Sequence, residues 1–235
     1  MSELKSKEVP LLFKGQMVSA LIREVNPKQV TRRIADQAGA IKLLKKGDLI
    51  WVKETFQVVG DIAVEPCDRK YLVYKATFPN CAWKGFENVP AINEMTWRPS
   101  LFMPRWASRI TLEVTQDSWA ECLQNISEES ALAEGFIKLP DGRVVEYAGA
   151  EEFGLHWPNA IEAYHALWND INLVPKSINK NKQVLSYVSY PWSFADFDAE
   201  YPGIRELGVF RSKPIVVIEN PLVTVTPFKL KELRT

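Results

Sequence analysis

The sequence predicts an α+β or mostly β fold, a small barrel with helical excursions. Short runs of β-forming residues recur along the chain, and few stretches carry helical spacing. A length of 235 residues suits one domain with insertions better than two full-sized domains. The expected arrangement is a single domain over residues 1–235, with insertions at about 78–99 and 176–212.

The elements follow in order. Leu11 to Phe13 is a short apolar run, read as a strand. Lys14 to Val25 carries Met17, Ala20 and Leu21 at helical spacing, read as a short amphipathic helix. Gly47-Asp48 introduces Leu49-Ile50-Trp51-Val52-Lys53-Glu54-Thr55-Phe56, a strand rich in β-formers. Tyr71 to Ala76 is a second such run. Residues 78–99 hold three prolines and read as a long loop, of a kind that is often functional. Ser108 to Thr115 alternates polar and apolar residues, as a half-buried strand does. Ser127 can cap a helix whose first turn carries Glu128 and Glu129, with Gly135 as its stop. Asn159 to Asn172 has one apolar face and reads as a helix. Pro214 to Val225 is a Val/Ile-rich run, expected as one core strand. Residues 176–212 mix polar and aromatic residues, and their pattern fixes no element.

Composition narrows the function. Formal net charge is +0, from 29 basic and 29 acidic residues, so any nucleic-acid surface must be a local patch. Cys67, Cys81 and Cys122 are widely spaced and form no metal-ligand pair, and His156 and His165 are the only histidines. Reduced thiols, a polar N-terminus and the lack of an apolar run near ~18 residues predict a soluble cytoplasmic protein that does not enter a membrane. There is no Gly-rich phosphate loop, nucleophile elbow or metal-ligand cluster. NTPase, lipase-like and zinc-enzyme readings are therefore disfavoured, and no metal or cofactor is expected. Eight Trp residues could form core, line a pocket or stack on a ligand.

The segment Pro27-Lys28-Gln29-Val30-Thr31-Arg32-Arg33 concentrates reactive side chains. A lysine, a hydroxyl and two arginines so close together can bind an anion or a nucleobase, or do acyl chemistry. A second concentration is Trp97-Arg98-Pro99-Ser100-Leu101-Phe102-Met103-Pro104-Arg105-Trp106-Ala107-Ser108-Arg109. Its arginines can pair with phosphate and its aromatic faces can stack on bases. Alternatively, its tryptophans are core and its arginines pair with acidic residues.

These segments, with Leu12-Phe13-Lys14-Gly15, Lys46 to Phe56 and Ile126 to Gly135, resemble in order the ASCH-like group of the PUA superfamily, in the version often carried by phages and prophages. The resemblance covers most of residues 11–137. It implies a PUA-like small β-barrel with flanking helices, and domains of this kind bind RNA or modified nucleobases. One similar branch contains small bacterial amidohydrolases that remove the acetyl group from N4-acetylcytidine with a Lys, a Thr and a Glu. Their Lys precedes their Thr by three residues, as Lys28 precedes Thr31, and their Glu ends a short acidic helix, as Glu134 does. Those enzymes carry Gly-Arg before the Lys, where this chain has Asn26-Pro27, and an apolar residue after the Thr, where it has Arg32.

The resemblance therefore implies a hydrolase in which Thr31 attacks an acyl carbon, Lys28 accepts its proton and Glu134 orients or protonates the leaving amine. The ligand-binding set is Arg32, Arg33, Trp51, Arg98, Arg105, Trp106 and Arg109. The plain alternatives are a solvated Lys28, a turn or strand-edge Thr31, a surface Glu134 and a Trp51 packed in the core. At the level of function the alternatives are a non-catalytic module reading RNA or modified DNA, or a phage accessory protein that binds a protein partner.

Overall fold

A computed structural model describes residues 6–35, 43–59, 71–81 and 91–234. Cys67, and residues 82–90 of the expected long loop, lie outside them. In chain order the first half runs β1 (Glu8–Leu12), α1 (Gly15–Ile22), β2 (Val30–Ile34), β3 (Leu49–Lys53), β4 (Phe56–Val58), β5 (Leu72–Tyr74), β6 (Ile110–Val114) and β7 (Trp119–Cys122). There follow α2 (Glu128–Ala133), β8 (Ile137–Lys138), β9 (Val144–Val145) and α3 (Ala160–Asn172). The last part holds β10 (Lys176–Lys180), β11 (Gln183–Ser189), α4 (Phe194–Glu200), α5 (Ile204–Leu207), β12 (Val209–Phe210), β13 (Lys213–Val217) and β14 (Leu222–Leu233). The fold is mixed α+β, with short strands and few helices. Among the described residues no helix is long and apolar enough to cross a membrane.

The chain divides into two compact units. The first comprises Met1–Gln29, Leu44–Ser118 and Thr226–Thr235. Here β1 runs parallel to β3, β3 antiparallel to β6, and β6 antiparallel to Phe228–Leu233 of β14. The alternation of β3 places Ile50 and Val52 in the core and Trp51 and Lys53 toward the surface. That core also takes Phe13, Val18, Leu21, Ile110, Leu112 and Phe228, with Phe13 and Phe228 edge to face at 6.4 Å. Gly47 adopts φ +89° as the chain enters β3, and the buried Asp48 carboxylate accepts from the backbone N–H groups of Lys7 and Lys45. The expected strand through Phe56 is two strands, with Glu54-Thr55 in neither. The second of them, β4, pairs with β5 over a smaller cluster of Phe56, Leu72, Tyr74, Met103 and Ala107.

The second unit comprises Val30–Leu43 and Trp119–Val225. Leu222–Val225 of β14 pairs antiparallel with β7. The core gathers Val30, Leu123, Ala131, Phe136, Val144, Tyr164, Trp168, Val223 and Val225. Helix α3 starts where the sequence placed it. The Asn159 side chain accepts from the Glu162 N–H at 2.8 Å, and the Glu128 carboxylate receives the N–H groups of Ala160 and Ile161. Residues 176–212 form regular structure, a sheet in the order β10-β11-β13-β12 with α4 and α5. The single core strand expected over Pro214–Val225 is two strands, β13 and the start of β14. The break falls at Glu219-Asn220-Pro221, where Asn220 takes φ +42° and Pro221 has no N–H to continue a ladder.

Candidate functional site

Strand β2 and helix α2 build a buried polar cluster in the second unit. On β2, side-chain alternation puts Val30, Arg32 and Ile34 on one face and Thr31 and Arg33 on the other. Val30 and Ile34 pack with the core, so Arg32 is carried into apolar surroundings. Helix α2 is capped by Ser127, whose hydroxyl accepts from the Ser130 N–H, and it ends at Glu134 with Gly135 at φ +115°. A carboxylate at the negative end of a helix is disfavoured unless a cation meets it. Arg32 is that cation, with Nη1 donating to Glu134 Oε1 at 3.0 Å. Its Nε and Nη2 donate to Glu121 Oε1 at 3.2 and 3.0 Å, and Nη2 also donates to Ser130 Oγ at 2.6 Å. Trp119 Nε1 donates to the other Glu121 oxygen at 2.9 Å.

Tyr164 of α3 closes the cluster, with the Arg32 guanidinium carbon 5.8 Å from its ring centre. Burial pushes the Tyr164 hydroxyl well above the usual tyrosine range. Glu134 and Glu121 add to that shift, and Arg32 and Arg33 oppose it. Burial lowers the Arg33 pKa, and Glu134 and Tyr164 act against that. Glu134 thus interacts with guanidinium groups from both faces of β2.

The three residues that the resemblance assigns to catalysis are all withdrawn from solvent. Lys28 is 2% exposed, Thr31 3% and Glu134 5%. The solvated lysine and surface carboxylate of the plain alternative are not what the fold contains. Lys28 belongs to the first unit, where its N–H donates to the Ala20 carbonyl at the end of α1. Thr31 and Glu134 belong to the second.

The Trp/Arg segment separates into a buried and an exposed part, both in the first unit. Arg109 is buried. Its Nε and Nη2 grip Glu54 Oε1 and Oε2 at 2.9 Å each, and its guanidinium lies 4.1 Å from the Tyr74 ring centre. The Tyr74 hydroxyl in turn donates to the Ala107 carbonyl at 2.8 Å. Burial raises the Glu54 pKa, and Arg109 opposes the shift. Arg109 is thus committed to an internal ion pair that holds the strand break at Glu54.

Arg105 is at the surface. It donates to Glu8 Oε1 through Nε and Nη2 at 2.8 and 2.6 Å and lies over the Trp51 ring at 5.8 Å. Lys53 Nζ lies over the same ring at 5.5 Å and donates to the Leu101 carbonyl. Trp51 is half-exposed, a surface aromatic flanked by two cations. On the segment that carries Arg105, Leu101 is 61% exposed, Phe102 70% and Trp106 38%. Pro99 and Pro104 introduce the two short 3₁₀ turns that carry them. Arg98 is exposed, and its backbone pairs with Phe56 in both directions. Trp97 packs edge-on against Phe78 at 5.5 Å and belongs to the loop rather than the face.

Sequence reading did not single out Glu121, Ser130, Tyr164, Lys53 or Glu54 for these sites. For Lys53 there was a signal, since it lies two residues from Trp51 on the same strand. For Glu121 there was none, because its partner lies 89 residues away in sequence. Among the described residues, no group of three or more His, Cys, Asp and Glu side chains is placed to hold a metal ion. Comparison with protein-family models, curated proteins and solved structures gave no match.

Proposed function

We propose that this is a PUA-like protein of the ASCH type that binds RNA or a modified nucleobase through the exposed face around Trp51. The observation that carries the reading is the Trp51 ring with Lys53 and Arg105 over it, together with exposed Leu101, Phe102 and Trp106 on the segment that carries Arg105. Exposed large apolar and aromatic side chains grouped on one segment mark a binding site. Aromatic faces stack on bases of any sequence and neighbouring cations meet the phosphates, which is the composition of a single-strand binding surface. The test is fluorescence anisotropy with a labelled single-stranded RNA. Phe102→Ala with Trp106→Ala should weaken binding by about 1–3 kcal/mol for each base stack lost. Unchanged affinity in that variant would sink this surface as the binding face.

A second reading is favoured by the burial of Lys28, Thr31 and Glu134, which withdraws all three reactive side chains from bulk water. In this reading the protein deacylates an N4-acetylcytidine-type substrate. The Thr31 oxygen attacks the acetyl carbonyl, Lys28 takes the hydroxyl proton, and the C–N bond breaks as the amine leaves protonated. Glu134, bound by Arg32, orients that amine, and water then hydrolyses the acyl-threonine to release acetate and regenerate Thr31. Incubation with N4-acetylcytidine followed by chromatography tests it. Cytidine should appear with the wild type and not with Lys28→Ala, and no cytidine at high protein concentration rules this substrate out.

A further inference from the structure

The sheet of the second unit carries a concentration of cations that neither reading above uses. Its strands β11 and β13 are neighbours and run parallel, with Tyr187 opposite Ile215 and Ser189 opposite Val217. Each of them is the second strand of a tight antiparallel hairpin. Strand β10 joins β11 through Asn181-Lys182, with Lys180 paired to Gln183, and β12 joins β13 through Arg211-Ser212, with Phe210 paired to Lys213. Because β11 and β13 are parallel, their first residues lie at the same end of the sheet, and so do the two hairpin tips. That end presents Lys180, Lys182, Arg211 and Lys213, all exposed.

Two observations set this end apart from an ordinary solvated surface. First, no carboxylate forms an ion pair with any of the four cations among the described residues. The other exposed arginines of this unit behave differently, since Arg143 is paired to Asp141 and Arg205 to Asp198. Glu200 and Arg211 both act on the Tyr201 hydroxyl, in opposite senses. Second, all four turn residues sit in the left-handed region, with φ of 50° at Asn181, 65° at Lys182, 47° at Arg211 and 60° at Ser212. Two-residue hairpins of this geometry favour Asn-Gly or Gly-Gly, because glycine adopts these angles at no steric cost. Here long cationic side chains occupy Lys182 and Arg211 in spite of the backbone strain, the kind of outlier from which a functional role is inferred. The Arg211 guanidinium lies over the Phe210 ring at 5.2 Å.

We infer that the paired hairpin tips of the β10-β11-β13-β12 sheet form a phosphate-contacting surface for the backbone of a nucleic acid, separate from the aromatic face of the first unit. The tips themselves carry Asn, Lys, Arg and Ser, with no large apolar residue to insert into lipid. The tips lie two strand spacings apart, about 10 Å, so their cations can meet neighbouring phosphates along one nucleic-acid strand where an isolated lysine meets only one.

The test substitutes Lys182→Gly and Arg211→Gly together, which removes two cations and relieves the turn strain, so the fold is retained or stabilised. Anisotropy with a labelled single-stranded RNA is measured across a salt series for the full chain. Each lost phosphate contact lowers the slope of log affinity against log salt by about 0.7, so the double variant should lose about 1.4 in slope and roughly 25-fold in affinity near 0.1 M salt. Phe102→Ala with Trp106→Ala, which removes no charge, should leave the slope unchanged. The two surfaces therefore fail or succeed separately. An unchanged slope in the glycine variant overturns the proposal. So does sedimentation with phosphatidylserine vesicles that depends on Lys182 and Arg211 while RNA binding does not, which would assign the tips to a lipid surface. Lys182→Arg with Arg211→Lys should keep the wild-type slope.

Discussion

Replacing Glu134 by alanine is the sharpest structural perturbation of the buried cluster. Arg32 distributes its donors as one to Glu134, two to Glu121 and one to Ser130, and its side chain is shielded from water. Removing the deeper carboxylate deletes a charge-assisted hydrogen bond, about 1.5–3 kcal/mol, and leaves a buried guanidinium with less compensation. Breaking a buried pair from one side costs about 3–5 kcal/mol in total. Glu121 still holds Arg32, and relief at the α2 terminus returns about 0.5 kcal/mol, so the lower end of that range, about 3 kcal/mol, is expected. Glu121 is more open than Glu134, and water can replace part of what it supplies. Its alanine variant should therefore cost less, about 1–2 kcal/mol. Both losses are read from urea unfolding followed by far-ultraviolet circular dichroism, compared at constant slope. The double variant should lose more than the sum, because the second removal strands the charge. A Glu134→Ala cost below about 1 kcal/mol, or a larger cost at Glu121, would refute the view that the cluster is held chiefly by Arg32 and Glu134.

Three further outcomes are expected. Tyr164 is kept neutral by burial, so folding holds its proton where the unfolded chain releases it. The stability tied to it is intact below pH 10.0 and lost as pH rises beyond that, and Tyr164→Phe should flatten the alkaline limb of a melting-temperature profile. Burial alone would raise the Asp196 carboxyl, but hydrogen bonds from Ser193 and His165 hold it below its usual value. Ser193→Ala should cost about 1 kcal/mol by removing the α4 capping box, and the difference from wild type should fade as pH drops below 3.8 in thermal melts. Glu54→Gln leaves Arg109 buried opposite a neutral side chain and should cost about 3 kcal/mol. Glu54→Leu with Arg109→Met should recover most of that in the same urea assay.

Local signals in the sequence were reliable where one residue decides the outcome. Ser127 caps the helix it was expected to cap, the helix read from Asn159 starts there, and the alternation of Ser108–Thr115 became β6. The reading failed where a break is set by a distant partner. Glu54 ends β3 because Arg109, 55 residues on, draws it inward, and nothing between Asp48 and Phe56 announces that. Asn220-Pro221 is a legible turn signal, masked by the Val/Ile runs on both sides of it. Residues 176–212 lacked a pattern because their strands pair in hairpins whose turns use Asn-Lys and Arg-Ser instead of glycine. At the site, composition could mark the Trp/Arg segment as a candidate. It could not separate Arg109, spent on Glu54, from Arg98 and Arg105 at the surface. Arg32 is the clearest case, because a guanidinium suited to a ligand is instead bound to two carboxylates brought from β7 and α2.

The central claim is that the face around Trp51 binds nucleobases. It is tested most directly by titrating a labelled single-stranded RNA with the wild-type chain and with Phe102→Ala/Trp106→Ala, at fixed low salt. Binding by the wild type with a dissociation constant tighter than about 100 µM, weakened at least fivefold in the variant with its circular dichroism spectrum unchanged, is the predicted result. Equal affinity in the two proteins, or no binding by the wild type at that concentration, would contradict it.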